Sequence, residues 1–122
     1  CIGENFFYAI SGVAAGGTIT AANQRYNAAT NTWATLAAIP IPSEGPSGVC
    51  YQGRIYAAGG GVGGVGTANF QIYDIALNSW SAGPPVPFTT AMAHMGAHNG
   101  RIYVVGGDPT FGGGGVRNTA AI

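Results

Sequence analysis

The chain of 122 residues has no lysine, and only 7% of its residues are charged, against roughly a quarter in an ordinary soluble domain. Its four cations are all arginine (Arg25, Arg54, Arg101 and Arg117), and four acids bring the net charge to zero. A chain without a basic surface cannot neutralise a phosphate backbone or an anionic membrane, so no nucleic-acid partner is expected. Two cysteines, Cys1 and Cys50, are too few for a disulfide framework. The stretch from Phe6 to Gln24 carries no charge, but Gly12, Gly16, Gly17, Thr18 and Thr20 interrupt it. No membrane span is expected there. With so little charge, Thr, Asn, Ser and backbone must solvate the surface, which fits an extracellular or cell-envelope protein better than a cytosolic one.

What the chain has in abundance is glycine, 22 residues, arranged in a repeat. Tyr26 and Trp33 recur 47 residues later as Tyr73 and Trp80, within the related phrases 26–33 and 73–80. Arg54-Ile55-Tyr56-Ala57-Ala58-Gly59-Gly60 returns at the same offset as Arg101-Ile102-Tyr103-Val104-Val105-Gly106-Gly107. A third, divergent copy, Phe6 to Gly12, lies 48 residues upstream of the middle one. A fixed period in this range marks a repeat architecture.

Within the middle repeat the turn residues delimit four strands. The first covers about Gly45 to Tyr51, and Gln52-Gly53 makes a tight hairpin to the second, Arg54 to Ala58. The glycine run 59–66 follows as a flexible loop. The third strand, about Ala68 to Asp74, sets Phe70, Ile72 and Asp74 on one face and Gln71 and Tyr73 on the other. The fourth begins near Trp80 and stops before Gly83-Pro84-Pro85, because proline cannot continue a ladder.

Four antiparallel strands per repeat, a glycine doublet after the second and a Tyr–Trp pair seven apart resemble the kelch repeat. The resemblance covers essentially the whole chain. It implies an all-β fold of kelch-type β-propeller blades, each a four-stranded antiparallel sheet around a central axis. In one respect the chain departs from the pattern: Ser43 and Thr90 stand where many kelch repeats carry arginine early in the first strand. The register divides the chain into a partial blade at about 1–42, a complete blade at 43–88 and a partial blade at 89–122. Residues 118–122 should open a third strand, close to where the next Tyr is due. Propellers close with typically 4–8 blades, so the expectation is an incomplete propeller, a fragment of a longer protein, its exposed blade faces prone to association.

The same register places Cys1 opposite Val49, near the equivalent of Cys50 in the neighbouring blade. Equivalent strand positions there should lie beyond the ~5.5 Å Cα separation a disulfide prefers, so no Cys1–Cys50 bond is expected. An N-terminal lipidated cysteine is the other reading of Cys1, but no polar tether follows it.

Candidate sites meet simpler readings. Gly61-Val62-Gly63-Gly64-Val65-Gly66 matches GxGxxG, yet a strand pattern rather than a helix follows, so no dinucleotide site is expected. His94 and His98 could share a metal on a helix; on a strand four residues span roughly 13 Å, and one ion cannot touch both. They are expected in an innermost strand facing the channel or the adjoining blade. Tyr26, Trp33, Tyr73 and Trp80 could stack on sugars, but recurrence in register points to rings filling the interblade seam. Glu4, Glu44, Asp74 and Asp108 form no glycosidase-like pair. No catalytic, cofactor-binding or metal residue is assigned.

Connectivity puts the loops 59–67, 106–115, 39–45 and 83–88 at one end of the propeller. They offer little side-chain chemistry beyond Glu44, Asp108 and Phe111. The expected function is a non-catalytic binding scaffold for a protein or glycan at those loops, completed by the remaining blades of the same propeller. The kelch resemblance also implies an alternative, a fragment of a propeller enzyme such as a galactose-oxidase-like copper oxidase or a sialic-acid epimerase. The oxidase would need clustered Tyr and His ligands and a cysteine cross-linked to a ring.

Overall fold

Two-residue turns of left-handed backbone decide where this chain reverses. Gln52-Gly53 (φ 49° and 73°) and Asn99-Gly100 (φ 47° and 75°) both place positive φ at the two central positions, matching the right-handed twist of a hairpin. Around these turns the computed structural model, which describes residues 5–110 and 120–121, is built entirely of β-strands. In chain order they are β1 (Phe6–Ile10), β2 (Asn23–Asn27), β3 (Thr32–Thr35), β4 (Ser47–Tyr51), β5 (Arg54–Ala58), β6 (Gly61–Val62), β7 (Val65–Gly66), β8 (Phe70–Asp74), β9 (Ser79–Ala82), β10 (His94–His98), β11 (Arg101–Val105) and β12 (Ala120–Ala121).

They form three successive antiparallel sheets, β1-β2-β3, β4-β5-β8-β9 and β10-β11-β12, and the small hairpin β6-β7. The middle sheet is the four-stranded blade expected from the repeat. Its register recurs in the first sheet: Tyr73 faces Trp80 across β8 and β9 as Tyr26 faces Trp33 across β2 and β3. Alternation along β8 also follows the expectation, with Gln71 and Tyr73 buried and Phe70, Ile72 and Asp74 only partly so. At the axis the innermost strand β4 lies beside β10 of the next sheet, where Ser47 Oγ donates to the Ala93 carbonyl. Between these sheets Ala58, Ala93 and Val104 form a buried apolar cluster, covered by Phe70, Val86, Phe88 and Met95.

Three expectations are corrected. Residues 61–66 are a β-hairpin turned by Gly63-Gly64 (φ 60° and 80°), because successive glycines satisfy the tight turn with no Cβ penalty. Cys50 is disulfide-bonded, and the other cysteine of the sequence, Cys1, lies outside the described residues. Innermost strands of neighbouring sheets converge at the axis, as β4 and β10 do. Finally, the position 47 residues after Tyr73 is Ala120. It pairs with Val105, three places out of the register by which Tyr73 pairs with Ile55.

The seams between sheets are knotted by the glycine doublets. Ser43 Oγ donates to the Gly59 carbonyl, and Thr90 Oγ1 to the Gly106 carbonyl, each at 3.1 Å within its own repeat. The carbonyls of the same two residues accept from the preceding repeat, Gly12 N to Ser43 at 3.2 Å and Gly60 N to Thr90 at 2.9 Å. At these two positions, where many kelch repeats carry arginine, the side chain is short, buried and bonded within its own repeat. A Cβ on Gly60 would overlap Ser43 Oγ, and one on Gly107 would overlap Thr90 Oγ1, both far inside 3.0 Å. At the first seam Ser11 replaces the leading glycine at φ 59°. Its hydroxyl fits by bonding the Ser43 carbonyl at 2.8 Å and accepting from Ser43 N at 2.9 Å.

Gly60→Ala and Gly107→Ala should therefore cost more than the roughly 1–2 kcal/mol of left-handed strain alone. Gly16→Ala, at φ 87° with nothing within 4 Å of the added atom, should cost only that strain. Urea unfolding midpoints for the three variants separate the two terms; equal losses would show that the doublet is not sterically constrained.

Candidate interaction face and interblade clamps

The loops that connectivity places at one end meet through backbone bonds. Glu44 bridges Gly61, Thr67 bridges Thr90, and Ala91 bridges Asp108. Gly66 N donates to the Pro109 carbonyl at 2.9 Å. Segments 39–45, 59–67 and 106–110 are thus tied into one belt, with 83–88 leading into it. Residues 111–115 of the expected face, including Phe111, lie outside the described residues. Glu44 uses its backbone in the belt, and Asp108 Oδ1 accepts from Thr110 N and Oγ1 at 2.8 and 2.9 Å. What the face presents is apolar: Val62 and Val65, at the hairpin tip, are 46% and 59% exposed.

The linker between the first and middle sheets is held from both sides. Toward the first sheet Leu36 N and Ile39 N donate to the carbonyls of Asn23 and Ala21, and Gly83 N and Val86 N repeat this on Phe70 and Ala68. Toward the middle sheet, side chains read its backbone. Ala37 N donates to Asn78 Oδ1 at 2.9 Å, and its carbonyl accepts from Trp80 Nε1 at 2.8 Å. The buried Gln71 amide closes two bonds on Ile41, accepting from its N–H at 3.0 Å and donating to its carbonyl at 2.9 Å. Asn78 is itself aligned by the Tyr73 hydroxyl at 2.7 Å. Sequence reasoning missed this clamp. The signal was present, since Gln24/Gln71 and Asn31/Asn78 recur at the same offset as the Tyr–Trp pairs.

The aromatic pairs divide in role. Tyr73 is buried in the seam, edge-on to Tyr8 at 6.5 Å and against Trp80 at 5.1 Å. Trp33, which sits 5.2 Å from Tyr26, is 56% exposed and fills no seam within the described residues. Beside Tyr8 lies a cavity of about 250 Å³, lined in part by Ser47, Cys50 and Ile55. The Tyr8 hydroxyl and Asn23 Oδ1 are buried without a hydrogen-bond partner. Burial pushes the Tyr73 phenol above its ordinary 10.0, with Tyr8 reinforcing the rise and Arg25 and Asn23 opposing it. His94 and His98 fall at the two ends of β10, both exposed, opposite Val105 and Arg101. Among the described residues no group of three His, Cys, Asp or Glu side chains could hold a metal, and no helix is long and apolar enough to cross a membrane.

Successive antiparallel sheets, the middle one four-stranded and its innermost strand beside that of the next, have the arrangement of β-propeller blades. Residues 43–87 match the family model of the Kelch motif. The Kelch-like protein terF of Aspergillus terreus is 49% identical over 39 residues, which are 32% of this chain and 8% of that protein. The solved structure of YjhT superposes with a TM-score of 0.72 at 24% identity, over 90% of this chain and 33% of that one. The chain thus spans a third or less of either relative. Residues 43–87 carry a Kelch motif, and the fold of the described residues is that of β-propeller blades.

Two outcomes follow from the clamp and the seam. Gln71→Leu should destabilise by about 1–3 kcal/mol, because it leaves the Ile41 N–H and carbonyl without partners; chemical denaturation measures this. The folded state also holds the Tyr73 proton more tightly than the unfolded chain. That contribution is intact below pH 10 and is lost as pH rises through the higher folded-state pKa. The thermal midpoint should fall above pH 10, and less steeply in Tyr73→Phe; identical slopes would refute the assignment.

Proposed function

We propose that this chain is part of a longer kelch propeller acting as a non-catalytic interaction scaffold, with 1–42 and 89–122 as partial blades around a complete blade at 43–88. The observation that carries this is the belt joining 39–45, 59–67 and 106–110. It fixes several loops in one rigid edge and presents the apolar hairpin tip Val62–Val65 beside few titratable groups. Rigid scaffolds that display loops are suited to recognition. The partner fitting such a tip is a protein with a complementary apolar patch. The disulfide at Cys50 supports an oxidising compartment, in keeping with an extracellular or envelope location. It also withholds that thiol from the ring cross-link on which the copper-oxidase alternative depends.

The coding frame on both sides of this segment should continue with glycine doublets and Tyr–Trp pairs about 47 residues apart. The longer protein should then capture a protein ligand without turnover, and Val62→Asp with Val65→Asp should abolish capture while leaving the thermal midpoint unchanged. Copper-dependent oxidation of galactose, lost on chelation, or epimerisation of a sialic acid would replace the scaffold reading with the enzyme one.

A further inference from the structure

Only one asparagine of the chain is followed by glycine: Asn99, ahead of Gly100. The pair forms the exposed tip of the β10-β11 hairpin, between His98 and Arg101, which face each other at the last register position. An asparagine side chain holds an electrophilic amide carbon within reach of the next residue's backbone nitrogen, through a five-membered ring. A Cβ on that next residue crowds the approach, and glycine has none. The equivalent turn of the middle repeat, Gln52-Gly53, has the same left-handed backbone, φ 49° and 73° against 47° and 75°. Its side chain is one methylene longer and closes only a six-membered ring, which forms far more slowly.

The two turns also differ in what holds the attacking nitrogen. Gly100 N donates to the Tyr51 hydroxyl at 3.0 Å, a contact made from the end of β4 in the preceding repeat. No described residue accepts a hydrogen bond from Gly53 N. Cyclisation requires the Gly100 nitrogen to leave the turn geometry, approach Asn99 Cγ and give up its proton. While the bond to Tyr51 stands, that proton is directed at the phenol oxygen and the nitrogen is fixed in the turn. Reaction therefore proceeds from the locally opened hairpin, whose population the Tyr51 bond lowers.

We propose that Asn99-Gly100 is a self-modifying site whose rate is set by Tyr51, independently of what the face at the opposite end binds. A bond forms from Gly100 N to Asn99 Cγ, the Cγ–Nδ2 bond breaks, and the Gly100 proton departs with that nitrogen as ammonia. Water then opens the cyclic imide at either carbonyl, leaving aspartate or isoaspartate at position 99. Nothing is oxidised or reduced. Either product places a new carboxylate between His98 and Arg101, and takes a chain of zero net charge to minus one. Isoaspartate also adds a methylene to the backbone of a two-residue turn whose geometry sets the hairpin register. The β10-β11 hairpin loosens at the end that meets β4, so each event weakens the contact that delayed it.

The 122-residue chain, incubated at neutral pH, is followed by isoelectric focusing and by mass-spectrometric peptide mapping. One more acidic species is expected, mapped to position 99 and absent in Asn99→Gln. Its rate of appearance should rise about fivefold in Tyr51→Phe, the worth of one net hydrogen bond. A general loosening by Tyr51→Phe is controlled with Gln52→Asn, which supplies a second Asn-Gly pair in the same turn geometry. Tyr51→Phe added to Gln52→Asn should hasten conversion at position 99 and leave conversion at position 52 unchanged. Equal acceleration at both positions, an unchanged rate at position 99, or conversion confined to other asparagines each overturns the proposal. So does the absence of conversion in both the wild type and Tyr51→Phe. The isolated isoaspartate form should have a lower thermal midpoint than the unmodified chain; an equal midpoint refutes the loosening of the hairpin.

Discussion

Everything in this chain depends on a close approach that a single methyl group would forbid. Ser43 and Thr90 sit where the doublet of their own repeat and the doublet of the preceding one meet, the hydroxyl serving the first and the backbone carbonyl the second. Both residues are buried, at 1% and 0% exposure, so each bond replaces one that water can no longer supply. Glycine is required there because the partner oxygen occupies the space of a Cβ. From that knot the rest follows: the inner strands converge, Ser47 reaches Ala93, and the belt of bridges closes outside it.

Farther from the axis the sheets are joined differently. The linkers bond backward through backbone amides, and residues 37–41 are bonded forward by side-chain amides and an indole. Burial of Ile39 and Tyr73, each 1% exposed, adds the apolar term that makes these bonds net favourable. Charge contributes little. The Arg54–Asp74 pair, at 3.6 Å with Arg54 about half exposed, is a surface contact of small worth.

Much of this was legible in the sequence because a repeat multiplies weak signals. β5 runs from Arg54 to Ala58 as its apolar pattern and flanking turns indicate, and the faces of β8 divide as alternation requires. What escaped were features set by neighbouring repeats rather than by local pattern. The run 59–66 looked like loose loop because glycine composition does not reveal that its ends are held by Glu44 and Pro109. Gln71 looked like an ordinary polar strand residue because its partner is a backbone thirty positions away. The Tyr–Trp pairs were given one role, while exposure separates the buried Tyr73 from the open Trp33.

The knot at Ser43 and Thr90 also bears on how such a chain can drift. Common to both seams are main-chain donors in the neighbouring repeat, Gly12 N and Gly60 N, which a substitution in that neighbour leaves in place so long as the doublet's second glycine survives. At the knot, then, the part of the docking shared by both seams is made to backbone, whereas the clamp farther out depends on particular side chains. Copies can duplicate, diverge in their loops and still fit whichever copy lies alongside, as the first seam does with Ser11 in place of a glycine. A junction written in backbone atoms is an adaptor, and it lets one blade design serve many positions in a ring.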